Sequence, residues 1–385
     1  MPAYLNKIVS KLPAVGTTIF TVMSRLAQEH NAINLSQGFP DFDCDPALQD
    51  LVTKYMRAGL NQYPPMAGVP QLRDAIAEKV QALYGAAYDP EHEITVTPGA
   101  TYAIFTAIAA LIRPGDEVIV FEPAYDSYVP SIEVQGCKPV YVGLKFPDYH
   151  IDWEEVRRAI TPRTRMIMIN TPNNPVASIF SAADMQALEK ITRGTDIVIV
   201  SDEVYEHLVF DGAQHQSAAR FPGLAERSFI VSSFGKTYHV TGWKMGYCLA
   251  PRELMGEFRK VHQFNVFVCN SPVQYALAEY MQNKDAYLSL AGFYQKKRDY
   301  FRDRLRESRF TLLPSSGTFF QSVCYDAITD EKDSDFAVRL TREHGVAAIP
   351  LSAFYREPPP QKVLRFCFAK KEETLQKGID ILRRI

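Results

Sequence analysis

The chain has 385 residues, of which 46% are hydrophobic and 12% aromatic, so it can bury a large core in two or three domain-sized units. Its 42 Lys and Arg residues nearly balance 44 Asp and Glu residues, and no block of like charge stands out. This balance argues against a partner that is a nucleic acid or an anionic membrane and favours a protein that acts on small molecules.

The cysteines and the apolar runs indicate where the protein acts. The six cysteines are scattered without a C-x-x-C pair, which fits reduced thiols better than a disulfide framework or a zinc site. Met1 to Gly16 has no signal-peptide pattern, and the longest apolar stretch, around Ala103 to Ile112, is much shorter than the roughly 20 residues of a membrane span. The sequence therefore predicts a cytoplasmic protein.

From about Glu93 to about Ala250, β-rich runs alternate with helical patterns, which predicts an α/β fold with a mostly parallel sheet covered by helices. Short apolar runs mark its strands at Ile94 to Thr97, Glu117 to Phe121, Lys138 to Val142, Met166 to Asn170, Ile197 to Ser201 and Phe229 to Ser232. Ligands of open α/β sheets bind beyond the carboxyl ends of strands, so we expect the functional residues there.

The last hundred residues have a different pattern. A charged amphipathic helix is predicted from about Asn283 through about Glu307, followed by strands at Thr318 to Cys324 and Val363 to Phe368 among further helices. We therefore expect three parts: an N-terminal segment, residues 1–45, that packs with the small domain; a large ligand-binding domain, residues 46–282; and a small α+β domain, residues 283–385.

Four polar segments follow predicted strands, and each places polar groups where a ligand would lie: Pro98 to Thr101, Asn173 to Pro175, Asp202 to Tyr205 and Ser232 to Lys236. The turn Gly99 to Thr101 opens a predicted helix, Tyr102 to Ile112, whose free backbone N–H groups and positive end suit a phosphate. An ordinary strand-to-helix turn explains this segment equally well.

Asp202 ends the apolar run Ile197 to Val200, where a carboxylate is costly to bury unless it meets a positive partner. A protonated pyridine nitrogen is such a partner. A helix N-cap is one alternative. A metal ligand is another, because Glu203, Glu206 and His207 are close in sequence, although no second His or Cys cluster supports a metal site.

Lys236 lies four residues beyond a buried strand and next to Gly235, where a lysine reaches bulk water with difficulty. A desolvated amine with a lowered pKa is suited to forming a Schiff base. The alternative is an ordinary loop lysine; Ser232 and Ser233 are likewise compatible with turn residues, and Lys244 with a surface charge. No one of these motifs decides the function by itself.

Five motifs occur in order along nearly the whole chain: residues 34–42, 170–175, 232–237, 241–246 and 363–368. Together they resemble the signatures of class I aminotransferases of fold type I, most closely the methionine aminotransferases and the kynurenine/glutamine aminotransferases. The resemblance implies a large domain with a mostly parallel seven-stranded sheet between helices, a smaller α+β domain, and a homodimer that shares its active sites.

The resemblance also implies that pyridoxal phosphate is the cofactor. Lys236 would carry it covalently, and Asp202 would pair with its pyridinium nitrogen, which lets the ring act as an electron sink. Tyr205 and Asn174 would bind the phenolic oxygen of the ring, and Tyr125 would stack on its face. No metal is expected.

The same resemblance assigns the phosphate and substrate contacts. The phosphate would be bound by Gly99, Ala100, Thr101, Ser233, Lys244 and, from a partner subunit, Tyr63. Arg365 would clamp the substrate carboxylate with its planar guanidinium, and the other substrate contacts would be Gly38, Asn174, Phe20 and Tyr63. Two departures from the family pattern are Lys244, where arginine is common, and Val176-Ala177 after the Asn-Pro pair.

The resemblance predicts a transaminase that moves an amino group to a 2-oxo acid by a ping-pong mechanism. An aromatic pocket of Phe20, Tyr63, Tyr125 and Phe267 without a second cation favours methionine, aromatic or similar apolar L-amino acids, with kynurenine and glutamine as further candidates. For Phe20 and Phe267, an ordinary position in the core is an equally good interpretation. A carbon–sulfur β-lyase is the alternative enzyme. A regulator on the same fold is disfavoured, because only about ninety residues precede the first sheet strand and they contain no convincing helix-turn-helix.

Overall fold

A computed structural model describes residues 8–385. Its strands are β1 Ile33–Asn34, β2 Ile94–Thr97, β3 Glu117–Glu122, β4 Lys138–Gly143, β5 Thr164–Asn170, β6 Val198–Asp202, β7 Ser228–Ser233, β8 Gly246–Leu249, β9 Thr311–Leu312, β10 Phe320–Cys324, β11 Val346–Ala347, β12 Ile349–Pro350 and β13 Val363–Cys367.

The α-helices are α1 Ile19–Glu29, α2 Pro46–Arg57, α3 Pro70–Tyr84, α4 Ala100–Leu111, α5 Tyr128–Glu133, α6 Trp153–Ala159, α7 Ala182–Thr192, α8 Pro222–Ala225, α9 Phe234–Thr237, α10 Arg252–Asn265, α11 Ser271–Tyr280, α12 Asp285–Leu288, α13 Leu290–Leu305, α14 Asp333–Arg339 and α15 Glu372–Leu382. Short 3-10 turns occupy Ala218–Arg220, Thr241–Trp243 and Leu351–Phe354, and a π-helical turn occupies Leu340–His344.

The large sheet has seven strands in the order β2-β8-β7-β6-β5-β3-β4. Strands β3 to β7 run parallel to one another, whereas β8 is antiparallel to both β2 and β7. This confirms the predicted mostly parallel seven-stranded sheet. The six strands marked by apolar runs all form. The seventh strand, β8, was not predicted, because its four residues show no distinct hydrophobic pattern.

Helices cover both faces of this sheet, which explains why its strands read as continuous apolar runs. Along β3, Val118 and Val120 join the apolar cluster beneath α4 and α10, whereas Ile119 and Phe121 join the cluster on the other face. Because neighbouring strand residues point to opposite faces, both sets are buried at once. The sheet is therefore fixed in register, and the carboxyl ends of its parallel strands open at one edge.

The C-terminal region builds a second, antiparallel sheet in the order β12-β13-β10-β9. The N-terminal segment is joined to this region, because β1 pairs in parallel with β11 through Ile33 opposite Val346 and Asn34 opposite Ala347. This pairing is consistent with the proposed division into residues 1–45, 46–282 and 283–385, whose boundaries stay a prediction.

Two predictions for this region are wrong in detail. The single helix expected from Asn283 to Glu307 is interrupted at Ser289, where a ψ of −12° departs from the regular helical value. The strand expected from Thr318 begins at Phe320, because Thr318 has a left-handed φ of 63° that an extended strand does not allow.

The six cysteines all lie within residues 8–385, and each is buried and free of disulfide bonds. Among the same residues, no helix combines the length and the apolar character that crossing a membrane requires. The first seven residues of the Met1 to Gly16 stretch lie outside the described residues, so the expectation for that stretch stays a prediction.

Candidate active site

A cavity of about 150 Å³ opens at the carboxyl ends of the neighbouring strands β5, β6 and β7. Ten of the eleven residues that the family resemblance assigns to the cofactor line it: Gly99, Ala100, Thr101, Tyr125, Asn174, Asp202, Tyr205, Ser233, Lys236 and Lys244. The eleventh, Tyr63, is 81% exposed and packs edge-on against Phe267, with 5.5 Å between ring centroids. Residues distant in sequence thus meet where parallel strands end.

One end of the cavity is built to bind an anion. Helix α4 begins after Gly99, which has a φ of 85°, and no side chain caps the first turn. A β-carbon on Gly99 would lie 3.5 Å from Lys244 Nζ, so the lysine ammonium sits beside the turn. A β-carbon on Gly246 would lie only 2.6 Å from the carbonyl oxygen of Ser232, so glycine is required there. Free N–H groups and an ammonium therefore face the same space.

The carboxylate of Asp202 lies at the floor of the cavity. Its Oδ2 accepts a hydrogen bond from the Tyr128 hydroxyl at 2.5 Å, and its Oδ1 accepts one from the backbone N–H of Val204 at 3.3 Å. Within residues 8–385 no cationic side chain forms an ion pair with it, and burial raises its pKa to about 6. The carboxylate therefore suits a ligand that brings a positive N–H group.

The two alternatives for Asp202 are not borne out. The residues after it form turns, so no helix begins there for Asp202 to cap. The nearby acids are already engaged: Glu203 Oε2 lies 2.9 Å from His215 Nε2, and Glu206 Oε1 lies 2.7 Å from Lys79 Nζ. No cluster of metal-ligating side chains exists in the described part of the chain.

Lys236 projects into the cavity from the single-turn helix α9, so it is not an ordinary loop lysine. Its Nζ donates to the carbonyl oxygen of Gly38 at 3.0 Å and lies 5.6 Å and 5.4 Å from the ring centroids of Tyr205 and Phe319. Burial lowers the pKa of Lys236 to about 8. Near pH 7 about a tenth of this amine is therefore neutral and nucleophilic, far more than of an ordinary exposed lysine.

Arg365 is fully buried, yet no carboxylate in the described chain pairs with it. Its Nη1 donates to Asn174 Oδ1 at 2.7 Å and its Nη2 donates to the carbonyl oxygen of Ser36 at 3.0 Å, while its Nε has no partner among the described residues. Burial lowers the pKa of this guanidinium to about 10. A buried cation with an unused donor is prepared for an anionic ligand.

Aromatic rings enclose the Arg365 guanidinium. Its central carbon lies 4.0 Å from the ring centroid of Phe320, 5.3 Å from that of Phe354 and 5.4 Å from that of Phe20. The Phe20 ring also lies 6.5 Å from the Tyr125 ring. The space beside the guanidinium is therefore apolar.

Several residues of this site were missed by sequence reasoning. Tyr128 follows Tyr125 by three residues, about one helical turn, and that spacing was an available signal. Phe354 gave no local signal, because its position depends on how the turn Leu351–Phe354 packs on the large domain, where its carbonyl accepts the N–H of Ala124 at 2.9 Å. Phe267, expected in the pocket, is 43% exposed beside Tyr63 instead.

The residues present fit pyridoxal phosphate. The uncapped turn of α4 and Lys244 suit its phosphate, and the unpaired carboxylate of Asp202 suits its protonated ring nitrogen. Lys236 offers an amine with a lowered pKa, and the hydroxyl of Tyr205 lies in the same cavity for the phenolic oxygen. Each charge that the protein leaves unpaired in the cavity thus has a complementary group on the cofactor.

Comparison with known proteins identifies the family. The family model for aminotransferase class I and II matches residues 30–382. A methionine aminotransferase of Escherichia coli is 50% identical over 377 residues, covering 98% of each chain, and a kynurenine–oxoglutarate transaminase of Mus musculus is 34% identical, covering 95% of each. A solved structure from E. coli, described with a methionine aminotransferase function, superposes with a TM-score of 0.97 at 50% identity, covering 99% of this chain and 100% of the other.

These matches extend over nearly the whole chain and agree with the geometry of the cavity. The chain belongs to the class I and II aminotransferases of fold type I, and it is a transaminase that depends on pyridoxal phosphate.

Proposed function

We propose that this aminotransferase takes L-methionine and other apolar or aromatic L-amino acids as amino donors and passes the amino group to a 2-oxo acid by a ping-pong mechanism. The observation that carries the proposal is the aromatic enclosure of Arg365 by Phe20, Phe320 and Phe354. Two cations of the described chain line the cavity, Lys236 and Lys244, and Arg365 lies beside it on Asn174. Lys244 is assigned to the phosphate, Lys236 to the cofactor and Arg365 to the first carboxylate of the donor. A donor with a second carboxylate therefore has no cation to meet it.

The bound cofactor supplies an electron sink that stabilises the negative charge left when the substrate α-carbon loses its proton. We assign the proton transfer to Lys236, whose Nζ takes the proton from the α-carbon of the amino donor and passes it to the cofactor. In the second half-reaction the same amine delivers a proton to the α-carbon of the amino acid formed from the 2-oxo acid. The lowered pKa of about 8 supports this role, because a general base works best when its pKa lies near the working pH. Gly38 supports it by offering its carbonyl as a hydrogen-bond acceptor to that amine.

Arg365 is proposed to bind the substrate carboxylate. Its guanidinium is held in place by Asn174 and by the carbonyl of Ser36, so its orientation is fixed before the substrate arrives. The unpartnered Nε and the second hydrogen of each terminal nitrogen remain for the carboxylate oxygens. Asn174 and Tyr205 are proposed to share the phenolic oxygen of the cofactor, and Tyr125 is proposed to stack on its ring.

We further propose a homodimer with shared active sites. Tyr63 and Phe264 are 81% and 86% exposed, and Phe267 and Met56 add 43% and 53% exposed apolar surface. Exposed aromatic surface of this kind favours association with another protein surface. In the dimer, Tyr63 reaches the cofactor phosphate of the partner subunit, which accounts for its position outside its own cavity. Size-exclusion chromatography with light scattering tests this, and a monomer that retains full activity contradicts it.

The six free and buried cysteines support action in the cytoplasm, where thiols stay reduced. Subcellular fractionation with an antibody against the native protein tests this proposal. Recovery with extracytoplasmic markers contradicts it.

The experiment that tests the activity is a half-reaction without an amino acceptor. The holoenzyme is mixed with L-methionine, its absorbance is followed, and the products are identified; L-aspartate is the matched donor with a second carboxylate. We expect the methionine-derived 2-oxo acid and pyridoxamine phosphate, with a much slower reaction for L-aspartate. A carbon–sulfur β-lyase instead releases a thiol and ammonia from an S-alkyl cysteine, so release of a thiol in preference to transamination contradicts the proposal.

A further inference from the structure

The phenol of Tyr128 lies at the start of helix α5, next to the cofactor cavity. Tyr128 is buried, and its hydroxyl donates to Asp202 Oδ2 at 2.5 Å across 74 positions of sequence. Burial raises the pKa of Tyr128 well above its ordinary value, so the phenol keeps its proton and acts as the donor of this bond. The bond therefore joins a neutral donor to the carboxylate at the floor of the cavity.

This neutral donor differs in effect from a cation. A lysine or arginine at the same place would neutralise Asp202 and remove its attraction for a protonated ring nitrogen. A phenol hydroxyl occupies one lone pair of Oδ2, fixes the plane of the carboxylate and leaves its negative charge in place. The remaining oxygen, Oδ1, is oriented by the N–H of Val204.

We propose that Tyr128 is a positioning residue that holds the Asp202 carboxylate anionic and turned toward the ring nitrogen of pyridoxal phosphate. The inference rests on the proposed role of Asp202. Without the phenol, the proton shared between carboxylate and ring nitrogen moves toward the carboxylate, because a buried carboxylate with fewer donors binds a proton more tightly. The ring nitrogen then loses its positive charge, and the electron sink weakens.

The surroundings of the pair support this assignment. The charged groups that act on Asp202 are Glu203, which favours its protonation, and Lys236, which opposes it. Tyr128 also packs edge-on against Tyr125, with 5.8 Å between ring centroids, so the residue proposed to stack on the cofactor and the residue that orients Asp202 support each other. Tyr205, also buried, adds no charge.

The test replaces the hydroxyl without changing the ring. Tyr128→Phe is compared with Tyr88→Phe, whose hydroxyl is buried without a hydrogen-bond partner in the described chain and does not line the cavity. Both holoenzymes are reconstituted with pyridoxal phosphate labelled with ¹⁵N in the ring, and the chemical shift of that nitrogen is measured across pH together with cofactor dissociation.

For Tyr128→Phe we expect the ¹⁵N resonance to move toward its unprotonated value. We also expect the cofactor dissociation constant to rise and kcat with L-methionine to fall by about 10- to 100-fold. This factor corresponds to the loss of one hydrogen bond to a charged group. KM should stay near the parent value. Tyr88→Phe leaves all of these unchanged. A Tyr128→Phe protein that matches Tyr88→Phe in the ¹⁵N shift overturns the inference.

A double-mutant cycle separates positioning from mere structural support. In the Asp202→Asn background, Tyr128→Phe causes little further change if the phenol acts through the carboxylate, whereas an equal loss in both backgrounds overturns the inference. An Asp202→Asn protein with an unchanged ¹⁵N shift overturns the role of Asp202 itself. 3-Fluorotyrosine at position 128 keeps the fold and strengthens the donor, so it shifts the resonance in the opposite direction; no shift contradicts the proposal.

Discussion

Two regions that share one loop differ in how their charges are paired. Asp202 is the last residue of strand β6, Glu206 follows it by four residues, and both are buried. Asp202 faces the cofactor cavity without a cationic partner in the described chain, and its pKa is raised to about 6. Although burial also opposes ionisation of Glu206, the ammonium of Lys79 holds its pKa below the usual range.

The region around Glu206 is a closed polar cluster, made of Lys79, Tyr84, Glu206 and Tyr247. Lys79 Nζ lies 2.7 Å from Glu206 Oε1 and 2.9 Å from the hydroxyl of Tyr247, and the hydroxyl of Tyr84 donates to Glu206 Oε2. Every charge in this cluster meets a partner from the chain itself. Such a network needs no ligand, and its role is to support the fold.

The cofactor site is the reverse, because Asp202, Lys236 and Arg365 are buried or half-buried charges and no residue among 8–385 supplies a counter-charge that pairs with them. Burial without compensation is costly, so such a set persists when a ligand supplies the missing partners. The pairing of buried charges, more than their burial, distinguishes a binding site from structural support.

The largest expected effect is at Lys236. Lys236→Ala removes both the covalent attachment of the cofactor and the proposed acid–base group, so we expect the rate of the methionine half-reaction to fall by about 10⁴-fold. Lys190→Ala, an exposed lysine on α7, is the matched control and keeps the parent rate. Stopped-flow absorbance measures both, and turnover by Lys236→Ala at the parent rate contradicts the assignment.

The variants Glu206→Gln and Asp202→Asn should have opposite effects on stability and on activity. Glu206→Gln leaves the Lys79 ammonium buried without its counter-charge, so we expect the free energy of unfolding to fall by about 3–5 kcal/mol. Asp202→Asn removes an unpaired charge, so stability of the cofactor-free protein is kept or raised while kcat falls by about 10²–10³-fold. Chemical denaturation and steady-state kinetics measure the two effects. The reverse pattern would refute the distinction between the two regions.

Asp202 and Glu206 make the free energy of unfolding depend on pH in opposite directions. In the cofactor-free protein, Asp202 has a pKa raised from 3.8 to about 6, so the folded state holds a proton that the unfolded state has lost. The free energy of unfolding therefore falls by up to about 3 kcal/mol as pH rises from about 4 to 6, and Asp202→Asn abolishes this fall. Glu206, whose pKa is lowered, contributes stability above its unfolded pKa that is lost as pH falls. Denaturation curves across pH for the two variants test these slopes.

The smallest expected effect on activity comes from replacing a buried arginine, Arg365 or Arg298, by lysine. Arg365→Lys replaces a planar, two-pronged donor by a point charge, so we expect kcat/KM for L-methionine to fall by about 10-fold through KM. Arg298 is also buried, but it is paired with Asp211 at 2.6 Å and lies outside the cavity. Arg298→Lys should lower stability and leave KM unchanged. A larger rise in KM for Arg298→Lys than for Arg365→Lys would contradict the comparison.

Much of the fold and of the cavity was predictable because the signals are local. The apolar runs ending at Asn170, Ser201 and Ser232 marked strands, and the polar residues after them marked the edge where the cavity lies. Strand β8 and the interruption at Ser289 were not predicted, because neither four strand residues nor a break at one serine changes the hydrophobic periodicity of the sequence. Tyr63 was assigned from family resemblance alone, and its own chain does not bring it to the cavity.

The sequence by itself determined the order of most elements and, through the family motifs, ten of the residues that line the cavity, because each motif depends on residues close together in the chain. Only the tertiary structure decided which charges are paired. Glu206 meets Lys79 across 127 positions and Arg365 meets the Ser36 carbonyl across 329. Within the described part of the chain, the Asp202 carboxylate is hydrogen-bonded only to the neutral Tyr128 and a backbone N–H. Pairing depends on which distant surfaces pack together, and packing of the whole core sets those distances.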